Sequence, residues 1–481
     1  MGGLVETTTV RSQMAPVRLR ERDRRFWGNR LRRLAVALFV LATACAQTSG
    51  SPDVEAVTPP DSGTATSATE STDQPERELA SSQPEPSPAC QADTPAQPWT
   101  AEYVARAEVV LERDGVIVEA VVYPHPDYDG RPWSQWGQGI VTDDGRFISA
   151  IGDHHGQNGN SFLYEYAPAT GELTLFADVQ ELTDHERGSW GYGKVHAQMV
   201  EGPCGIYVAT YWGSRRNLVL DDHYRGDRLL VVDPDARTVS DLSLILDGYG
   251  VPSLAASPQD GLIYAEAVDG LVRGNTGPFL VLDGAGQEVF RWTGSHSGFR
   301  SMAVDDDGRA YYSTGSGGLA RYDPSTNEAE NLGAVLPGDI LRAATATAPD
   351  GTIFAVTKNP PTFFSLAPDG RVEELADAQG YTASMALAPD GDAFYYVPFA
   401  HGGSAEFGTP LLSVETATGN ETEVVLLNDA IERAFGLTLG GTYNIAVSDD
   451  GSTVFLGMNA GEIGARNAFG EVVLLIIQLP R

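Results

Sequence analysis

The chain has 481 residues, 42% of them hydrophobic and 20% charged, with a formal net charge of −33. That length exceeds one ordinary compact domain but suits a repeat architecture wound around one axis. The acidity argues against nucleic acid or an anionic membrane surface as a partner of the main body, and dispersed carboxylates serve first to keep a surface solvated.

Residues 1–45 run against this balance, with nine Arg facing three acids. Arg18 to Arg33 lead into one apolar run, Leu34 to Leu41, and then Ala42-Thr43-Ala44-Cys45. The run is too short to span a bilayer and reads as a signal-peptide core. Small residues before a cysteine resemble a bacterial lipobox, in which Cys45 receives lipid and becomes the mature N-terminus; the alternative is simple cleavage and full secretion. Arg32-Arg33 leaves twin-arginine export open beside the general route. The expectation is an exported protein on the outer side of the cytoplasmic membrane, touching that membrane only through a lipid anchor.

From residue 46 to 99 the sequence is Ser, Thr, Pro, Glu and Asp with almost no large apolar side chain, so burial cannot offset the entropy of ordering. This predicts a disordered tether. Cys90 closes it, and Cys204 is the remaining cysteine; in an oxidising compartment the two are expected to pair, against the alternative of two free thiols. No CxxC or Cys/His spacing supports a zinc-finger-type site.

Residues 100–133 contain a strand pair around Asp114-Gly115, expected to pack on or extend the last repeat near Val472–Ile477 and leaving a partial eighth unit open. From residue 134 to 481 one pattern recurs: strand, tight turn, apolar-aromatic strand, loop, strand, second tight turn, strand. The first turns fall at Asp144-Gly145, Cys204-Gly205, Asp260-Gly261, Asp307-Gly308, Asp350-Gly351, Asp390-Gly391 and Asp450-Gly451. Second turns are read at 169–171, 234–236, 284–286, 324–326, 368–370, 417–419 and 468–470. Alanine stands five residues before the turn glycine at Ala256, Ala303, Ala346, Ala386 and Ala446, as crowding of innermost strands at an axis requires. The predicted fold is all-β: a seven-bladed β-propeller of four-stranded antiparallel blades, with every blade supplying its own four strands. A β-helix repeat would be shorter than this pitch of roughly 40–60 residues, and a sandwich would not repeat its turn chemistry seven times.

Phrases such as Ala348-Pro-Asp-Gly-Thr-Ile-Phe354 and Leu319-Ala-Arg-Tyr-Asp-Pro324 resemble the NHL, SMP-30 and YVTN-like group of bacterial propellers over residues 134–478. The resemblance implies the fold; the group includes lyases, lactonases and binding scaffolds alike.

The strand order puts the tight turns on one face and the longer loops on the other. Seven of the eight histidines (His154, His155, His185, His196, His223, His296, His401) and both lysines, Lys194 and Lys358, map to the loop face, with His125 unplaced. His196, Gln198, Arg300, Arg342 and Asn444 begin innermost strands, where polar side chains converge on a central pocket or merely plug it. Trp133, Trp136, Trp190, Tyr192, Tyr211, Trp212, Trp292 and Phe399 crowd the same loops, suited to a sugar or aromatic ligand or to packing between blades. Arg215, Arg216 and Arg225 can fork onto a carboxylate or phosphate, or pair with Asp221, Asp222 and Asp227. Two functions follow: a monomeric propeller binding a glycan, small molecule or protein, or a lyase of carboxylated, uronate-like substrates. The lyase would hold a divalent metal on His154, His196, His296 and His401 and use Lys194 or His196 as base. Glu266 is the one isolated carboxylate for a lactonase-type metal, and no nucleophile elbow, P-loop, dinucleotide fingerprint or HExxH occurs.

Overall fold

The computed structural model describes residues 92–127, 134–185, 188–212, 224–269, 276–294, 296, 302–315, 317–465 and 467–480. Cys45 and Cys90, with the signal and nearly all of the expected tether, lie outside these residues.

The fold is a seven-bladed β-propeller. Blades 2 to 6 each run inner to outer in chain order, as in blade 5: Leu341–Thr347, Ile353–Thr357, Thr362–Leu366 and Val372–Asp377. Blade 1 follows the same rule from Ile140–Val141 to Glu172–Asp178. Every first-turn glycine adopts positive φ, from 65° at Gly261 to 122° at Gly205, which is why Gly recurs there. In blades 1 and 4 to 7 the turn-glycine N–H also closes onto a carbonyl three residues back, as Gly351 does onto Ala348 at 2.8 Å.

The middle strands of each blade are apolar on both sides rather than alternating, because each sheet packs face to face with two neighbours, while the outermost strands are largely exposed. Phe147–Gly152 is buried at all six positions. Seven apolar clusters fill the seven spaces between blades; Phe354 and Phe363 of blade 5, for example, meet Phe394 and Tyr396 of blade 6. Fully burying one such side chain is worth about 1.5–3 kcal/mol, so the ring is held by its gaps rather than by one central core.

Blade 7 departs from the expected order. Its own strands are Leu437–Val447, Thr453–Glu462 and Glu471–Gln478, and its fourth is Val116–Val122, paired antiparallel from Val122 opposite Val473 to Ile117 opposite Gln478. Glu108–Arg113 adds a fifth. The strand pair does extend the last blade, as expected, but residues 468–470 form the link between strands two and three, not a second turn. A Phe-Gly step there has the composition of a tight turn, and only the non-local pairing tells the two apart.

The segment before this closure also belongs to the ring. Asp93 N donates to Leu242 O at 3.0 Å, Gln97–Pro98 pairs with the outer strand of blade 2, and Val104–Arg106 pairs with that of blade 1. Trp99 stacks on Phe176 with centroids 4.2 Å apart, and the Arg237 guanidinium lies 4.4 Å from its ring. Residues 92–122 thus run as a strap over blades 2, 1 and 7, beginning inside the stretch expected as tether. No helix among the described residues is long and apolar enough to cross a membrane.

Along the axis, the channel opens on the turn face as a funnel of about 890 Å³ walled by Ala256, Ala346, Ala386 and Ala446. Four of the five expected axial alanines are therefore where small side chains are needed; Ala303 is buried between blades 4 and 5 instead.

Candidate functional site

The loop face of blades 1 and 2 is built by two loops hydrogen-bonded to each other. Asp153 caps the first, its carboxylate accepting from the N–H groups of His155 (2.8 Å) and Asn160 (2.9 Å). The second loop crosses it: Gly191 N donates to Gly156 O, Tyr192 N to Gly159 O, and His154 N to Gly193 O, all at 2.8–2.9 Å. Backbone approach this close explains the glycines, since a Cβ on Gly193 would sit 2.3 Å from His155 O. The second loop ends in Lys194–Val195, which pairs with the loop end of Gly205–Tyr211 and so carries Lys194 to the axis.

There, Trp136 gathers several of the sequence candidates. Lys194 Nζ lies 4.6 Å from its ring centre and 5.8 Å from that of Tyr211. His154, Tyr443, Phe469 and His401 surround Trp136 with centroids 4.9–6.1 Å away. Tyr443 Oη and His401 Nδ1 are 2.6 Å apart, His401 stacks on Tyr381 at 4.9 Å, and Arg342 Nε donates to Tyr381 Oη at 2.6 Å. Lys194 and Arg342 are 8% and 2% exposed, whereas His401 opens to solvent, so two buried cations sit under an accessible aromatic floor. His196 Nδ1 faces Pro252 O at 3.1 Å, so that nitrogen bears the proton and Nε2 is the basic one in the neutral ring. The void enclosed by Trp136, His196, Gln198, Arg342 and Tyr443 measures only about 20 Å³. The loop-side end of the axis is a plug, with room for about one water.

Other candidates are structural. Trp212 packs on Tyr224 and fits over Gly250, where a Cβ would approach its ring to 1.9 Å. Asn444 Oδ1 accepts from Gly139 N at 2.8 Å, fastening blade 7 to blade 1, beside the Gln138 Nε2 bond to Ile445 O at 3.0 Å. His296 is fully buried between Glu266 and Gly277 O, acceptors on both ring nitrogens. Burial alone would lower its pKa, but the hydrogen bond and charge of Glu266 outweigh this and raise it. Glu266 also accepts from Ser253 Oγ at 2.6 Å, which commits it to this pair rather than to an axial metal. His154 and His401 share Trp136 as a neighbour, whereas His196 faces Pro252 O and His296 is committed to Glu266 and Gly277 O. Among the described residues no three His, Cys, Asp or Glu side chains are placed to share a metal ion, so the four-histidine centre is not assembled. Arg215, Arg216, Arg300, His223 and Trp133 lie outside the described residues.

The space the plug lacks is found beside it. Between blades 1 and 2 the loop face holds a groove of about 600 Å³ lined by Trp190 and Tyr192 and by charged or ionisable groups of both signs, His185, Arg225 and Arg228 beside Asp184 and Asp247. Tyr192 is fixed by its Oη bond to Gly226 O (3.1 Å), and Trp190, 2% exposed, has an indole N–H with no acceptor among the described residues. Arg228 is held by Asp241 and Asp93 at 2.7–2.8 Å, while Arg225 is exposed. Between Arg225 and Arg228 in the chain, Asp227 is fully buried, accepting from Tyr224 Oη (2.8 Å) and Val251 N (2.6 Å); burial pushes its carboxyl well above the usual range. His125, unplaced from sequence, also reaches the loop face, its Nε2 3.8 Å from Glu471 at the loop end of blade 7. The turn at Asp114-Gly115 was the available signal, since it orients the whole hairpin.

No protein-family model matches the sequence, and no curated protein matches it. Among solved structures, the chain is similar to a streptogramin B lyase (11% identity, TM-score 0.49, covering 74% of this chain and 97% of that one). It is also similar to virginiamycin B lyase from Staphylococcus aureus, as the selenomethionine protein (10%, 0.49, 76% and 99%) and as a catalytically inactive form with quinupristin (10%, 0.47, 75% and 99%). Likeness at this identity speaks to the fold alone.

Proposed function

We propose that this is an exported, envelope-anchored binding propeller whose loop face takes a ring-bearing acid, an acidic glycan end or a comparable small molecule, in the groove between blades 1 and 2. The supporting observation is the coexistence, in about 600 Å³, of an aromatic wall (Trp190, Tyr192) with an exposed fork donor, Arg225. A flat ring packs on the wall while the guanidinium receives a carboxylate or phosphate. Binding of acidic but not neutral glycans on an array, lost in Arg225→Ala, is the expected result; equal retention of both sinks the reading. Retention of neither points to a protein partner.

A second reading, a lyase acting on carboxylated substrates, draws on one observation, the basic Nε2 of His196, and requires the plug that His196 helps to form to open for substrate. It would proceed without the histidine metal set. Unsaturated product appearing on incubation with polyuronates, and lost in His196→Ala, would establish it.

Anchoring rests on Ala42-Thr43-Ala44-Cys45, and loss of palmitate labelling in Cys45→Ala tests it. The Cys90–Cys204 pairing is supported by Ala92, two residues on, packing with Cys204 against one blade 2–3 core; peptide mapping without reductant decides it.

A further inference from the structure

We infer that the turn-face funnel is a second binding site, independent of the loop face, for a small organic cation: an ammonium group carried on an apolar body. The funnel is blind. Gln138 and Gln198 line both its floor and the void of about 20 Å³ beyond, so nothing larger than water passes between the two ends of the axis. Its wall offers alanines and three methionines, Met199, Met302 and Met385, a soft apolar surface without side chains that would fill it.

The charge at the mouth has one sign. Glu201, Asp306 and Asp449 line it, and among the described residues no Lys, Arg or His does. These three differ from the turn aspartates. Asp144, Asp350, Asp390 and Asp450 spend their carboxylates on the N–H or hydroxyl groups of their own turns, whereas Glu201, Asp306 and Asp449 make no such turn hydrogen bond. They come from blades 2, 4 and 7, separated by two, three and two blades, and therefore stand around the opening rather than on one side. An apolar body on the alanine wall places an attached ammonium at the height of this rim, where carboxylates on every side favour it and an anion is repelled. About 890 Å³ is the volume of an ordinary small-molecule site.

The test is calorimetric titration of the mature chain with n-octyltrimethylammonium, with n-octyl sulfate as the probe of equal length and opposite charge, both below their micellar range. Expected are one cation per chain and no binding of the sulfate. Ala386→Phe, which fills the funnel, should abolish binding, and the exposed pair Asp306→Asn with Asp449→Asn should weaken it about tenfold without shifting the melting temperature. If Ala386→Phe does not fold, the exposed pair alone decides. The inference is overturned if the sulfate binds equally, if the cation does not bind, or if cation binding survives these substitutions and so belongs to the acidic surface at large. Arg225→Ala should leave this binding intact, which separates the funnel from the loop-face proposal.

Discussion

Asn459 holds both main-chain groups of Gln135, 324 residues away: its Oδ1 accepts from Gln135 N at 2.7 Å and its Nδ2 donates to Gln135 O at 3.1 Å. Both residues are fully buried at the seam of blades 7 and 1. Asn459→Ala orphans two buried backbone groups and should cost about 2–4 kcal/mol in denaturant unfolding. Asn459→Asp should also destabilise at neutral pH, since a carboxylate cannot donate to the carbonyl. A neutral outcome for the alanine variant would mean that the seam is held elsewhere.

Asp227 makes stability depend on pH in a stated direction. Burial raises its carboxyl well above the ordinary 3.8, so the folded state binds the proton more tightly than the unfolded one. The stabilisation is complete below 3.8 and is lost as pH rises through the raised folded value. Asp227→Asn keeps the acceptor for Val251 N without the charge, and Tyr224 Oη retains Tyr249 O as acceptor at 3.1 Å. Thermal melts across pH should fall less steeply for Asp227→Asn than for the native chain.

The His296–Glu266 pair acts in the same sense. A histidine raised above 6.5 contributes stability that is present below 6.5 and fades as pH climbs through its folded value. Glu266→Gln should therefore cost about 3 kcal/mol under mildly acidic conditions, and less in alkali, where the native histidine has itself lost its charge. A pH-independent loss would show that packing, not charge, dominates there.

Gly156 tests the wall of the loop-face groove. A Cβ there would meet the Trp190 ring at 2.2 Å, with two further ring atoms within 2.8 Å. Gly156→Ala should displace the indole, alter near-ultraviolet dichroism and cost about 1–3 kcal/mol. Ligand binding in the groove should fall with it.

Turn chemistry is local, which is why the seven first turns were legible: Asp-Gly or Cys-Gly at a hairpin needs positive φ, and each glycine has it. The fourth strand of blade 7 was not legible as such, because Val116–Val122 meets its partner only across the whole chain. For the site, the face on which His154, His196 and His401 lie follows from strand order. Their radial position does not, since it depends on how each loop folds back. Trp136 as an axial hub, and Trp212 as packing over Gly250, look alike in sequence: each is a tryptophan in a loop.

The strap has a mechanical meaning. With Cys90 and Cys204 reduced, any pull on the chain ahead of Ala92 is delivered first to blade 2, then to blade 1, and only last to the closing strand of blade 7. The final link is the longest of these pairings, six residues against two and three, so the fasteners strengthen in the order in which force would reach them. A molecule stitched in this way behaves like a buckled belt, giving slack at short stitches before the buckle is loaded.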